Sequence, residues 1–142
     1  YGSAPGMRFN LVVNQFVFRA LTGRSLTVYG DGRNWRPFIH VADAARAYLA
    51  AAIDTARWDG VIYNVGRKDG NWRIAALARL IRDEFGGVEI EYLEDERPGP
   101  SYHVNFDTLE TTGFTPGWSV ERGVRELAER FRGSEYQGAF PW

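Results

Sequence analysis

The sequence contains no cysteine and only one lysine, Lys68, among its 142 residues. The missing cysteines exclude disulfides, thiolate metal sites and thiol catalysis. Lysine-dependent chemistry has Lys68 alone to draw on, since the other basic side chains are arginine. Only two histidines occur, His40 and His103, and they are not at metal-ligand spacing. No run of apolar residues approaches the length of a membrane span. No basic start leads into an apolar stretch as a secretory signal would. The cytoplasm and a soluble existence are the expectation. Charge of one sign is also lacking: 17 basic and 18 acidic residues leave a net charge of -1. Neither nucleic acid nor an anionic membrane is an expected partner. Any anion site must come from a local grouping of arginines.

What is present is an ordinary globular composition, 44% hydrophobic and 25% charged, with 15% aromatic residues. The length suits one domain with a real core. Tyr1 to Gly6 reads as a loop. Phe9, Val12, Val13, Phe16, Val17, Ala20 and Leu21 follow helical spacing, with Asn10 as a cap and Gly23 placed to end the helix. Leu26 to Tyr29 reads as a strand, Gly30-Asp31-Gly32 as a turn, and Arg36 to Val41 as a second extended segment. Asp43 lies near a helix start, where its charge suits the dipole. Ala44, Ala45, Tyr48, Leu49, Ala52 and Ile53 form that helix's apolar face. Val61 to Val65 reads as a strand. Asn71 is positioned to cap a third helix, with Ile74, Leu77, Leu80, Ile81 and Phe85 inward. Val88 to Leu93 alternates as a strand, and Tyr102 to Phe106 reads as extended. Ser119 caps a last helix, with Val120, Val124, Leu127, Ala128 and Phe131 inward. Residues 1–132 form the domain and residues 133–142 a tail without periodicity.

Strands alternating with helices imply an α/β or α+β fold. The expectation is a small mixed sheet with about four to five helices, a lobe that leans on something else. A dinucleotide cradle needs a glycine-rich turn that opens a helix. Gly30-Asp31-Gly32 lacks the third glycine and reads only as a turn. Residue content alone describes a poor enzyme and a plausible binding lobe.

Four stretches add to this. They are Arg8-Phe9-Asn10-Leu11-Val12-Val13-Asn14, Leu26-Thr27-Val28-Tyr29-Gly30-Asp31-Gly32, Trp35-Arg36-Pro37-Phe38-Ile39-His40-Val41-Ala42-Asp43 and Tyr63-Asn64-Val65-Gly66. Glu96-Arg97-Pro98-Gly99, Tyr102 and Gly113-Phe114-Thr115-Pro116-Gly117-Trp118-Ser119 continue the series. In order and spacing they resemble the extended short-chain dehydrogenase/reductases, the NAD-dependent nucleotide-sugar epimerases and dehydratases. The resemblance runs to about Arg132. It implies the carboxyl-terminal, substrate-binding lobe of a Rossmann-like enzyme, without the main dinucleotide-binding sheet. The cofactor half, with its glycine-rich turn and Tyr-x-x-x-Lys pair, is expected upstream of Tyr1. Here the residue four before Lys68 is Asn64, so no catalytic residue is assigned. A fragment, a split gene product and an incomplete record all fit. NAD or NADP is expected on the parent enzyme and not on this chain alone. Family enzymes are commonly dimers through helices of the other half, so the parent is expected to be a homodimer. The isolated chain is expected to expose an apolar face where that half docks.

The resemblance also implies a site for a nucleotide-diphosphate-sugar. Arg36 and Arg97 match arginines that reach the diphosphate, which planar forked donors suit. Taken by itself, Arg36 also reads as a solvated arginine near a turn. Thr27 and Tyr29 match the strand that lines the base, although Tyr29 reads equally as a core aromatic. Asn10 and Leu11 match positions that brush sugar and phosphates, although Leu11 also suits the first turn of a helix. Tyr102 matches an aromatic reaching the ligand from the far side, after a loop shorter than in several family members. If the Arg36 segment is a strand, Arg36, Phe38 and His40 share one face, and Pro37, Ile39 and Val41 turn toward the core. Asp43 is assigned to structure, and His103 has no implied role. Three functions follow: the substrate half of an epimerase or dehydratase, a non-enzymatic nucleotide-sugar-binding module, and a ligand-free structural remnant.

Overall fold

The structure is a computed structural model, and it describes residues 1–94 and 99–132. The first helix, α1 (Val12–Leu21), buries Val13, Phe16, Val17 and Ala20 on one stripe. Its N-cap is Leu11, which supplies no side-chain cap, while Asn10 accepts a hydrogen bond from Arg8 Nε instead. The expected cap at Asn10 is therefore corrected. At the other end the Gly23 N–H bonds the Ala20 carbonyl and the Arg24 N–H bonds that of Arg19. This paired closure needs a left-handed residue, and Gly23 has φ 68°.

Strand β1 (Leu26–Tyr29) follows, and it pairs in parallel with β4 (Ile90–Leu93), Leu26 opposite Ile90 and Tyr29 opposite Leu93. Leu26 and Val28 are fully buried, so Thr27 and Tyr29 turn to the other side. A second, antiparallel ribbon joins β2 (Trp35–Pro37) to β3 (Asn71–Arg73), with Arg36 opposite Trp72. Among the described residues the expected mixed sheet is thus two separate two-stranded ribbons. The turn between β1 and β2 depends on Gly32. Its φ is 65°, and a Cβ there would stand 2.7 Å from Ala75 Cβ and Val28 Cγ1.

Helix α3 (Ile74–Glu84) buries Ala75, Leu77, Ala78 and Ile81 and connects the antiparallel ribbon to β4. Asn71 lies in β3 and does not cap α3, whose N-cap is Arg73. The Asn71 amide is used elsewhere. It donates to the Val104 carbonyl and accepts from the Val104 N–H, both at 2.9 Å. That clamp, with the Tyr102 N–H on the Trp35 carbonyl at 3.3 Å, holds the 102–104 segment beside the ribbon without making it a strand. A short helix α4 (Asp107–Glu110) and the long α5 (Val120–Arg132) close the fold. The Ser119 hydroxyl accepts from the Arg122 N–H at 3.2 Å, the expected cap of α5. The core gathers α1, α3, α5 and β1 around Phe16, Leu26, Leu77, Ile81 and Leu127.

The remaining long helix, α2 (Val41–Ile53), departs from expectation. Only Asp43 and Ala47 are buried. Tyr48, Leu49 and Ile53 are 81%, 60% and 76% exposed, so the predicted apolar face points outward. Val61 to Val65 forms no strand either, because no neighbouring strand among the described residues completes its ladder. What ties α2 to the body is polar. The fully buried Asp43 carboxylate accepts from the Gly117 and Trp118 N–H groups at 3.0 and 2.8 Å and pairs with Arg46 at 2.7 Å. The cap comes from His40, whose Nδ1 accepts from the Ala42 N–H at 3.2 Å.

Candidate functional site

Strands β1 and β2 and the start of α1 line a half-open cavity of about 390 Å³, within the range usual for small-molecule sites. Its walls follow from local structure. The outward alternation of β1 presents Thr27 and Tyr29. The antiparallel ribbon presents Arg36, Pro37 and Phe38, and the first turns of α1 present Val12, Gln15 and Phe16. Asn34, Ile74 and Gly99 complete the wall. Tyr29 is 60% exposed, which removes its alternative as a core aromatic.

Arg36 is the cationic group of this cavity. Its Nη1 donates to the Trp35 carbonyl at 2.9 Å and also to the Pro100 carbonyl. The Tyr102 ring lies 5.3 Å from the guanidinium carbon, within cation–π range. These contacts hold the planar group without neutralising it. Among the described residues no carboxylate pairs with Arg36. A half-buried guanidinium that no carboxylate among the described residues pairs with, and that opens on a cavity, is suited to an anion.

Of the eight residues singled out from the sequence, Thr27, Tyr29, Arg36 and Phe38 line this cavity. Tyr102 stands next to it through Arg36 and is 48% exposed. Asn10 and Leu11 lie exposed just before α1 and outside the lining. Arg97 lies outside the described residues. Sequence reasoning passed over Gln15, Asn34 and Ile74. The signal for Gln15 was a polar residue set between apolar Val12, Val13, Phe16 and Val17 on a core helix. Asn34 and Ile74 carried no local signal, because only the pairing of β2 with β3 brings them to the wall.

His40 corrects the expected alternation. The strand ends at Pro37, and His40 is buried at the start of α2 instead of facing the cavity. Its ring stacks on Trp118 at 4.1 Å and meets Tyr1 edge-on. The Nδ1 accepts a backbone bond, so the proton sits on Nε2, 3.6 Å from the Glu126 carboxylate. Burial lowers the His40 pKa, and the partial attraction of Glu126 does not reverse this. Ile39 turns to the other side, toward α2.

A second cavity, of about 320 Å³, lies near Arg67 and Lys68. Both cations are already neutralised there. Arg67 grips Asp69 through two bonds of 2.7 Å, and Lys68 pairs with Glu110 at 2.7 Å and Asp107 at 3.4 Å. These pairs leave little pull on an anion. No group of three or more histidine, aspartate or glutamate side chains among the described residues is arranged to hold a metal. No helix among them is long and apolar enough to cross a membrane. The Gly30-Asp31-Gly32 turn leads through Arg33 and Asn34 into β2 and not into a helix, so it offers no dinucleotide cradle.

The model of the NAD dependent epimerase/dehydratase family matches residues 1–66. Over 124 residues the chain is 44% identical to the dTDP-glucose 4,6-dehydratase of an Actinoplanes species, covering 82% of this chain and 37% of that enzyme. The chain belongs to the NAD-dependent epimerase/dehydratase family. A second family member, the UDP-N-acetyl-alpha-D-glucosaminuronate decarboxylase of Bacillus cytotoxicus, is 41% identical over 130 residues, covering 85% of this chain and 40% of that enzyme. The crystal structure of dTDP-glucose 4,6-dehydratase from Bacillus anthracis in complex with NAD superposes with a TM-score of 0.74 at 25% identity, covering 96% of this chain and 43% of that one. The α/β architecture is therefore that of Rossmann-like epimerase/dehydratase enzymes. The chain spans about two fifths of the length of the curated relatives it matches.

Proposed function

We propose that this chain is the nucleotide-sugar-binding part of an NAD-dependent epimerase or dehydratase that acts in the cytoplasm. The observation that carries the proposal is the cavity that joins Thr27 and Tyr29 of β1 to the Arg36 guanidinium, which pairs with no carboxylate among the described residues. A nucleotide-diphosphate-sugar has a flat base at one end and a pyrophosphate in the middle. Tyr29 supplies an exposed ring for stacking, and the Thr27 hydroxyl and neighbouring backbone supply polar contacts to base edges. Arg36 binds a phosphate through its fork, with Tyr102 at its back. Such a charge-assisted bond contributes roughly 1.5–3 kcal/mol. Arg97 is proposed to meet the same pyrophosphate. Asn10, Leu11 and Phe38 are proposed to contact the ligand nearer the sugar.

In the parent enzyme the chemistry supplied by bound NAD would be reversible oxidation of a sugar carbinol, with hydride leaving the carbon that bears the hydroxyl. The residues present here do not fit that cofactor, since Gly30-Asp31-Gly32 lacks a third glycine and leads into a strand. No Tyr-x-x-x-Lys pair is present, and Lys68 is held by two carboxylates. Binding and orienting the sugar nucleotide is the contribution assigned to this chain. The cofactor and the proton-transferring pair are assigned to the remainder of the parent, which acts as a homodimer in this proposal.

Calorimetry with UDP-, dTDP- and GDP-sugars tests the proposal. One of these series is expected to bind, Arg36→Ala to weaken it at least about tenfold, and the free nucleoside to be nearly indifferent to that change. Binding by none of them, or equal binding by Arg36→Ala, would falsify it. Nucleotide-sugar binding in a parent enzyme that lacks turnover would instead favour the non-enzymatic module.

A further inference from the structure

Trp35, Arg73 and His103 do not line the cavity, yet they meet on the far side of the β2–β3 ribbon. Side chains alternate along a strand, so Trp35 and Arg36 lie on opposite faces of β2. Trp35 stands opposite Arg73 in the pairing, and the Arg73 guanidinium carbon lies 5.0 Å from the centre of the Trp35 ring. Among the described residues no carboxylate pairs with Arg73. The His103 ring meets Trp35 edge-on, with centroids 5.3 Å apart and planes at 73°. A half-buried indole is thus stacked against two exposed side chains that have no other assigned task.

The stack bears on the segment that holds Arg36. Backbone pairing between β2 and residues 101–103 is sparse. The Tyr102 N–H reaches the Trp35 carbonyl at 3.3 Å, and the Trp35 N–H goes to the Ser101 hydroxyl at 3.0 Å instead of to a carbonyl. Side chains must therefore help to set where the segment lies. It straddles β2: the Tyr102 ring faces the Arg36 guanidinium, and the ring of the next residue, His103, lies on Trp35. The same segment supplies most of what touches Arg36. Pro100 gives a carbonyl and Tyr102 a ring, and a Cβ on Gly99 would stand 3.0 Å from Arg36 Nη2. The other hold on the guanidinium is the carbonyl of Trp35 itself.

We propose that Trp35 is a positioning residue for the Arg36 anion site, with His103 and Arg73 as its partners. The stack on the far face of the ribbon fixes residues 100–103 beside β2, and those residues fix the guanidinium toward the cavity. The inference deepens the nucleotide-sugar reading and rests on it for the ligand. A guanidinium fork meets two phosphate oxygens in one orientation. A fork free to turn must be ordered when the anion arrives, and it binds that anion less tightly. Leucine at position 35 would fill space on the ribbon, but it offers no π face to Arg73 or to the edge of His103.

Inorganic pyrophosphate is the probe, titrated into the chain at constant ionic strength and followed by NMR. Trp35→Leu and His103→Ala are each expected to weaken its binding about three- to tenfold. Trp35→Phe and His103→Phe keep an aromatic ring, and the second carries no charge. Both are expected to bind within about twofold of the parent chain. The Arg36 Nε–H signal is expected to lose order in the two weakened variants and to keep it in the two phenylalanine variants. His103→Ala removes an exposed side chain, so its melting temperature is expected to change by less than about 2 °C. That variant carries the test should Trp35→Leu fail to fold. Parent-like affinity in His103→Ala overturns the proposal. So does equal weakness of His103→Ala and His103→Phe, or weaker binding with an unaltered Nε–H signal. A parent chain that does not bind pyrophosphate removes the diphosphate reading, and the Nε–H signal then decides the positioning alone. Lost order in His103→Ala sustains it, and an unchanged signal overturns it.

Discussion

Helices α2 and α5 have the same length, 13 residues, and opposite fates. Val120–Arg132 carries seven charged residues and still buries Val120, Gly123, Val124, Leu127, Ala128 and Phe131. Val41–Ile53 carries two charged residues and buries only Asp43 and Ala47. Hydrophobicity therefore does not rank these helices by burial. The charged helix has its apolar residues on one stripe and has α1 to receive them. The apolar helix is anchored by a carboxylate and has nothing on its outer side among the described residues. One is held by packing, the other by hydrogen bonds.

That contrast can be broken most forcefully by truncating each helix. Leu127→Ala is expected to cost about 2–5 kcal/mol of stability, through lost transfer energy and a cavity. Leu49→Ala is expected to stay within about 0.5 kcal/mol, as an exposed position should. Urea unfolding of the two variants measures both, and equal losses would dissolve the comparison. Next in size comes the polar anchor. Asp43→Ala removes the buried carboxylate that the part-buried N–H groups of Gly117 and Trp118 share, with an expected cost of about 2–3 kcal/mol. Asp43→Asn, which keeps one acceptor, is expected to recover part of it in the same assay.

The cavity should behave differently from both helices. Arg36→Ala is expected to weaken diphosphate-ligand binding by about ten- to a hundredfold while changing stability by less than about 0.5 kcal/mol. Calorimetry and unfolding on one preparation separate the two effects. The smallest expected change concerns His40, which joins the regions. Its pKa lies below the ordinary imidazole value because the ring is buried. The folded chain thus binds fewer protons than the unfolded chain between that depressed value and about 6.5. The stability it contributes is complete above about pH 6.5 and is lost as pH falls below it. His40→Asn, which retains a capping acceptor for Ala42, is expected to flatten this part of a melting-temperature profile between pH 7 and 5.

Much of the fold was legible because periodicity reports which side of an element is apolar. The stripes of α1, α3 and α5, the alternation of β1, the left-handed close at Gly23 and the cap at Ser119 all follow from residue spacing, whereas β4 begins at Ile90 and shows no alternation of burial. The family motifs likewise pointed to Thr27, Tyr29, Arg36 and Phe38 before any wall of the cavity was known. Other features were not legible. Asn71 has the chemistry of a helix cap, yet the approach of Val104 recruited its amide first. His40 alternates with Arg36 and Phe38, yet the chain enters α2 before a strand can carry it to the cavity. Asn34 and Ile74 reach one wall only because β2 pairs with β3.

By itself, then, the sequence determined which segments carry an apolar stripe, which residues are sticky and which arginine matches a phosphate-binding pattern. Those properties are local, set by backbone propensity and by spacing along a few turns. Tertiary structure alone decided which sticky residues found a partner. Leu127 and Leu49 are chemically the same side chain, but burial needs a second surface, and only the folded chain shows which of the two has one.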